Sequence, residues 1–138
     1  MNDTRYELRP IGWIESPLVD VVNAPNQGDE GAPDAWIALR PEQRTAMRDL
    51  KVGEEVIVLT WLDRADRSIL EVYPRSDPQR RMHGVFSTRS PDRPNPIGLH
   101  QVEILAIDDT RLRVRNLEAV DGTPVVDIKP VLGPINER

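Results

Sequence analysis

The sequence of 138 residues contains no cysteine. That excludes disulfides, thiolate metal sites and a cysteine nucleophile, and it fits a reducing compartment, so a cytoplasmic location is expected. Aromatic residues make up only 4% of the chain, so Leu, Ile and Val must supply the core. The two histidines, His83 and His100, stand far apart, and no spacing of potential ligands suggests a metal site. No apolar run is long enough to span a bilayer, and Met1 to Glu7 has no apolar leader core, so no membrane partner is expected. A net charge of −5 argues against a general electrostatic nucleic-acid binder while leaving room for a local basic patch. The chain also lacks a Gly-x-Gly-x-x-Gly run and any βαβ alternation, which excludes a Rossmann-type nucleotide fold.

What the chain has in quantity is proline, thirteen in all. Three of them, Pro91, Pro94 and Pro96, fall within six residues of the stretch Ser87-Thr-Arg-Ser-Pro-Asp-Arg-Pro-Asn-Pro-Ile-Gly-Leu99. Each fixes its own φ and pushes the residue before it towards extended geometry, so no helix can run through here. The segment reads as a stiff rail displaying Arg89 and Arg93. Around it Arg75, Arg80, Arg81, Arg89 and Arg93 outnumber Asp77 and Asp92. Such a zone suits phosphate or carboxylate contacts, or is simply a solvated face.

Along the rest of the chain, strands are expected over Leu8–Glu15, Ala35–Leu39, Val56–Leu62, Ile69–Tyr73, Gly84–Ser87 and Val125–Ile128. His100–Ile107 and Arg111–Leu117 read as a hairpin across Asp108–Thr110, with Leu112 and Val114 alternating with Arg111, Arg113 and Arg115. Val56–Leu62 is almost continuously apolar and is expected to be buried on both faces. Pro41–Leu50 is the one helical candidate, with Met47 and Leu50 as its apolar edge and Gly53 as its stop. Leu18–Pro33 is a loop long enough to suggest function, and Pro74–Arg81 is a polar link. Trp13, Trp36 and Trp61 lie in apolar strands and are expected in the core. Asp121-Gly122 is a tight turn, and Asp127 and Lys129 share one face of the last strand, as a surface ion pair or as cleft residues. Many short strands with one short helix predict a mainly β fold, a small single-domain β-barrel with its core over about residues 8–134.

The proline rail, together with Asp121-Gly-Thr-Pro-Val-Val-Asp-Ile-Lys-Pro130, resembles the TsaA-like family, best known for TrmO-type tRNA methyltransferases. The resemblance runs from about Ile11 to Pro134. It implies a small β-barrel, S-adenosylmethionine as methyl donor, bound bent near a subunit boundary, and a homodimer. It also implies a tRNA substrate, methylated on N6 of threonylcarbamoyladenosine or on a related modified nucleoside. Carried over by position, the cofactor contacts fall on Pro25, Asn26 and Gln27, on Asp63 and Arg64, on Arg89, on Leu99, and on Asp121, Gly122, Thr123 and Pro124. Catalytic candidates are Arg93, Asp127 and Lys129. The chain departs from the family pattern at Asn26, Asp63 and Val131, where Arg, His and Tyr are usual. Those departures leave a second class open: a non-catalytic sensor of S-adenosylmethionine or a nucleoside, or a methyltransferase for a small metabolite. Longer relatives carry a further C-terminal domain, so this chain is expected to be the barrel alone.

Overall fold

The computed structural model describes residues 2–17, 34–73, 79 and 81–133. Six strands close into an antiparallel barrel: β1 (Gly12–Glu15), β2 (Ala35–Leu39), β3 (Glu55–Trp61), β6 (Ile97–Asp108), β7 (Arg111–Arg115) and β8 (Pro124–Pro130), in the spatial order β1-β2-β7-β6-β3-β8. Two further short strands, β4 (Glu71–Val72) and β5 (His83–Gly84), pair with each other outside the barrel. The mainly β class follows the sequence pattern. In a barrel this small the interior is filled by side chains, so alternate residues of every strand point in. Ile14, Ile37, Val56, Val58, Val102, Ile104, Leu112, Val114 and Val125 do so and are at most 1% exposed.

Several expectations are corrected by this closure. β3 is buried on one face: Val56, Val58 and Thr60 point inward, while Ile57, Leu59 and Trp61 are only half-buried on the outside. Its continuous apolar run therefore marks an apolar outer wall. The first strand is shorter than Leu8–Glu15. Ile69–Tyr73 contributes only Glu71 and Val72, and Val85–Ser87 forms a single 3-10 turn. β6 begins at Ile97, inside the proline stretch, and its register shifts between Ile104 and Ala106. Trp13, Trp36 and Trp61 face outward, where Arg40, Arg111 and Arg67 lie 4.6, 4.5 and 5.2 Å from their ring centroids. A cation over an indole face is favourable even at a wet surface.

The helical candidate is a 3-10 helix over Pro41–Met47. Its bonds run three residues back, as in Gln43 N–H to Arg40 O at 2.9 Å, and the same spacing continues from Leu50 N–H to Met47 O at 3.1 Å. With three residues per turn, Met47 and Leu50 lie on one side. Met47 is buried in the core cluster and Leu50 packs against it, so this segment plugs one end of the barrel.

The proline rail crosses the other end. Leu62 N–H bonds Pro96 O at 2.8 Å, Asp66 N–H bonds Asp92 Oδ1 at 2.8 Å, and Arg67 Nε bonds Pro94 O at 2.6 Å. Arg93 is not displayed to solvent. Its guanidinium donates to the carbonyls of Thr88 at 3.0 Å, Ser90 at 2.9 Å and Val85 at 2.9 Å. One side chain thus ties the rail to the turn before it, with the planar fork that guanidinium alone provides.

Two outcomes test this arrangement. Ile37→Ala removes a fully buried side chain and should cost about 2–5 kcal/mol, whereas Ile57→Ala on the outer wall should cost about 1 kcal/mol or less; urea midpoints compare them. Arg93→Ala should cost about 1.5–3 kcal/mol, the range for bonds to a charged group, and should speed hydrogen exchange at Ser90 and Asp92. Arg93→Lys should restore little, and an unchanged midpoint in both variants would show that the clamp is idle.

Candidate functional site

Antiparallel pairing decides which segments share an end of the barrel. β1 leaves it at Glu15, paired with Trp36 near the start of β2. β3 leaves it at Trp61, opposite Ile97 at the start of β6, and Thr60 is opposite Val125 at the start of β8. One end therefore gathers the exit of β1, the segment after β3, the proline rail before β6 and the turn before β8. Asp63, Arg64, Arg89, Leu99 and Asp121–Pro124 lie in or beside these segments, though the sequence scatters them over sixty residues of chain. Pro25, Asn26 and Gln27 lie outside the described residues, as do Arg75, Asp77 and Arg80. The flanks of their loop, Pro17 and Asp34, belong to this same end.

The Asp121–Pro124 turn is anchored to β1. The Asp121 carboxylate accepts from Ser16 N–H at 3.0 Å, Gly122 N–H donates to Ile14 O at 2.7 Å, and Ile14 N–H donates to Thr123 O at 2.9 Å. Thr123 is buried, and its N–H and hydroxyl both donate to Val120 O, at 3.2 and 2.7 Å. Gly122 holds φ +84°, the left-handed region that favours glycine. With both N–H groups engaged internally, the exposed turn is left presenting the carbonyls of Asp121 and Gly122. Such a surface accepts from an amine and repels another acceptor.

Arg89 is exposed just before the rail and makes no ion pair among the described residues. Asp63 and Arg64 are exposed in the turn after β3. That turn is stiffened by Asp66, whose carboxyl is held below its ordinary value by hydrogen bonds from the Ser68 hydroxyl and then from Ser68 N–H. A depressed carboxyl favours the folded turn above its ordinary titration range and loses that contribution as pH falls through the lowered value.

Leu99 opens onto the outer wall at 45% exposure, opposite Leu59, which in turn is opposite Asp127 on β8. Lys129 pairs with Asp127 at 3.0 Å but sits lower, opposite Ile57, beside Leu50 and Glu54 at the far end. The depression there, about 260 Å³, is small for a nucleoside-sized ligand and lies away from every matched segment except β8. Ile97, Leu99, Leu70 and Phe86 add exposed apolar area around the candidate site, Phe86 at 80%.

Sequence reasoning missed one group at this end. His100 is buried inside the barrel, with Nε2 2.8 Å from Thr60 Oγ1 and Nδ1 3.0 Å from Glu118 Oε1. Glu118 lies in the loop between β7 and β8, so no local spacing could have connected it to a histidine on β6. Among the described residues no cluster of His, Cys, Asp or Glu could hold a metal ion, and no helix is long and apolar enough to cross a membrane.

The tRNA-methyltransferase O N-terminal domain family matches residues 13–136. A probable S-adenosyl-L-methionine-binding protein of Archaeoglobus fulgidus is 47% identical over 130 residues, which are 94% of this chain and 35% of that protein. A probable S-adenosyl-L-methionine-binding protein of Methanothermobacter thermautotrophicus is 44% identical over 130 residues, 94% of this chain and 93% of that protein. The crystal structure of TrmO from Pseudomonas aeruginosa superimposes with a TM-score of 0.73 at 29% identity, over 94% of this chain and 57% of that one. This chain therefore spans about a third of the first relative and just over half of that TrmO. With its barrel, its proline rail and its Asp121–Pro124 turn matched over nearly the whole length, the chain belongs to the tRNA-methyltransferase O N-terminal domain family.

Proposed function

We propose that this chain binds S-adenosylmethionine at the end of the barrel where β1, β3, β6 and β8 meet, and transfers its methyl group to a nitrogen of a modified nucleoside in tRNA. N6 of threonylcarbamoyladenosine is the acceptor that the family points to. The observation that supports the reading is convergence: strand pairing brings the ends of β1, β3, β6 and β8 together, and Asp63, Arg64, Leu99 and Asp121–Pro124 lie at or beside them, with Arg89 on the rail that leads into β6.

The residues present suit such a ligand. The Asp121 and Gly122 carbonyls offer acceptors to the exocyclic amine of an adenine. Leu99 and Leu59 offer an apolar surface to its ring, and Arg89 offers a planar fork to a carboxylate. When bound, S-adenosylmethionine supplies a methyl group already activated by its sulfonium, so the protein has only to align, hold and dry the reacting groups. Arg93 takes no direct part, because its guanidinium is committed to three backbone carbonyls. It acts by keeping the rail rigid beneath Arg89. Asp127 is better placed than Lys129 to take up the proton that an acceptor nitrogen sheds, since it shares a row with Leu59 and Leu99. The chain works as a homodimer whose interface lies over Trp61 and Ile97, beside the surface that Leu59 and Leu99 offer to the ring, since an apolar wall of that kind is seldom left in water.

Titration calorimetry should give saturable binding of S-adenosylmethionine, and methyl transfer from labelled donor to total tRNA should be measurable beside it. No heat at millimolar ligand overturns the cofactor reading. Binding without transfer to tRNA or to small metabolites would instead make the chain a sensor. Arg89→Ala should weaken binding by about 1.5–3 kcal/mol, about ten- to a hundredfold, with little change in melting temperature. Light scattering at tens of micromolar should give the mass of two chains; the mass of one would remove the dimer.

A further inference from the structure

The buried string Thr60–His100–Glu118 has no part in the contacts proposed above, yet it joins three of the segments that make them. Thr60 lies one residue from the end of β3, which leads to Asp63 and Arg64. His100 follows Leu99 on β6. Glu118 stands three residues before Asp121, in the loop that becomes the ligand-facing turn. The His100 side chain is 3% exposed and that of Glu118 24%. A buried imidazole between a hydroxyl and a carboxylate is costly to leave unpaired, so it survives only where its partners matter.

The space for this string is made by Gly98. It lies opposite Thr60, and a Cβ placed there would come within 2.4 Å of Thr60 Oγ1 and 2.8 Å of His100 Nε2. Any side chain at 98 would push apart the hydroxyl and the ring. The Glu118 contact is short but poorly aligned with the ring N–H, and Nδ1 is left without a well-formed hydrogen bond. A carboxylate only accepts, so Nδ1 carries the proton towards Glu118 and Nε2 accepts from Thr60. A small movement of the 116–123 loop would bring that bond into line.

We infer that Thr60, His100 and Glu118 form an internal latch that sets the position of the Asp121–Pro124 turn relative to β3 and β6, and that ligand binding at the turn tightens it. All three are positioning residues, and the tightening rests on the cofactor reading above. Glu118 is the member that moves with the loop, and His100 and Thr60 are its fixed seat in the barrel.

Hydrogen exchange in the ligand-free protein tests the latch without any cofactor, and calorimetry with S-adenosylmethionine tests what it positions. Glu118→Ala should speed exchange at Gly122 and Thr123 tenfold or more, leave the β2 and β7 amides unchanged, and weaken binding about tenfold. Glu118→Gln keeps an acceptor for the ring N–H and should restore both to within about threefold of the unmodified protein. Thr60→Val should act in the same direction, and it guards against an uninterpretable His100→Ala that fails to fold. Exchange and affinity within twofold of the unmodified protein in Glu118→Ala overturn the latch. Faster exchange in the variant, with no binding by the unmodified protein, removes the cofactor reading and leaves the latch standing. Affinity that falls only in step with melting temperature, with Glu118→Gln no better than Glu118→Ala, makes the string ordinary core and overturns its positioning role.

Discussion

Two residue pairs close this barrel, Gly12 with Val125 and Trp13 with Pro124, and much else depends on that seam. Strand pairing here is short, so flanking bonds extend it: Ile11 N–H to Val125 O at 2.8 Å, Ile14 N–H to Thr123 O and Gly122 N–H to Ile14 O. Closure removes the open edges that a small sheet would otherwise expose. The same bonds fix the Asp121–Pro124 turn against the exit of β1. The contacts that complete the fold are therefore also those that build the candidate site, and the chain could not relax one without disturbing the other.

Closure also explains where the charge goes. A six-stranded barrel has room inside for one layer of mostly β-branched side chains, and the bulky indoles are left on its outer surface. There each carries an arginine over its face. Arg111 and Arg113 also pair with Glu15 at 2.7 Å and Asp34 at 3.0 Å, so the wall over β1, β2 and β7 is close to neutral despite its arginines. Exposed pairs of this kind add little stability. They do silence the wall electrostatically, which leaves Arg89 at the barrel end better able to attract an anion.

What could be read in advance was what has a period or an unusual composition. Leu112 and Val114 between Arg111, Arg113 and Arg115 show which face of β7 is inside, and the three prolines exclude a helix at residues 91–96. The apolar run of β3 was ambiguous, because sequence does not say whether an outer layer covers a strand. Here Ile57, Leu59 and Trp61 are only half-buried. The tryptophans followed the same error: an apolar neighbourhood in sequence was taken for burial, while alternate residues of a strand face opposite ways. The 3-10 geometry of Pro41–Met47 follows from packing only Met47 and Leu50 at a spacing of three. Arg93 resembled Arg89 in sequence, and only the fold shows one turned inward onto carbonyls and the other left open. His100 and Glu118 could not have been paired beforehand, because their contact depends on how the loop between β7 and β8 runs back to β6.

The two ends of the barrel have different tasks, and this bears on how the site can work. The end plugged by Met47 and Leu50 is closed by apolar packing and one short helix. The other is closed by polar devices: the Arg93 clamp, the Arg67 bonds to Pro94 and Asn95, and the His100 string. Hydrogen bonds are directional where apolar contacts are not, so this end is held in a particular geometry rather than merely kept dry. That suits the methyl transfer proposed above, which asks for alignment within a fraction of an ångström and little covalent help from the protein.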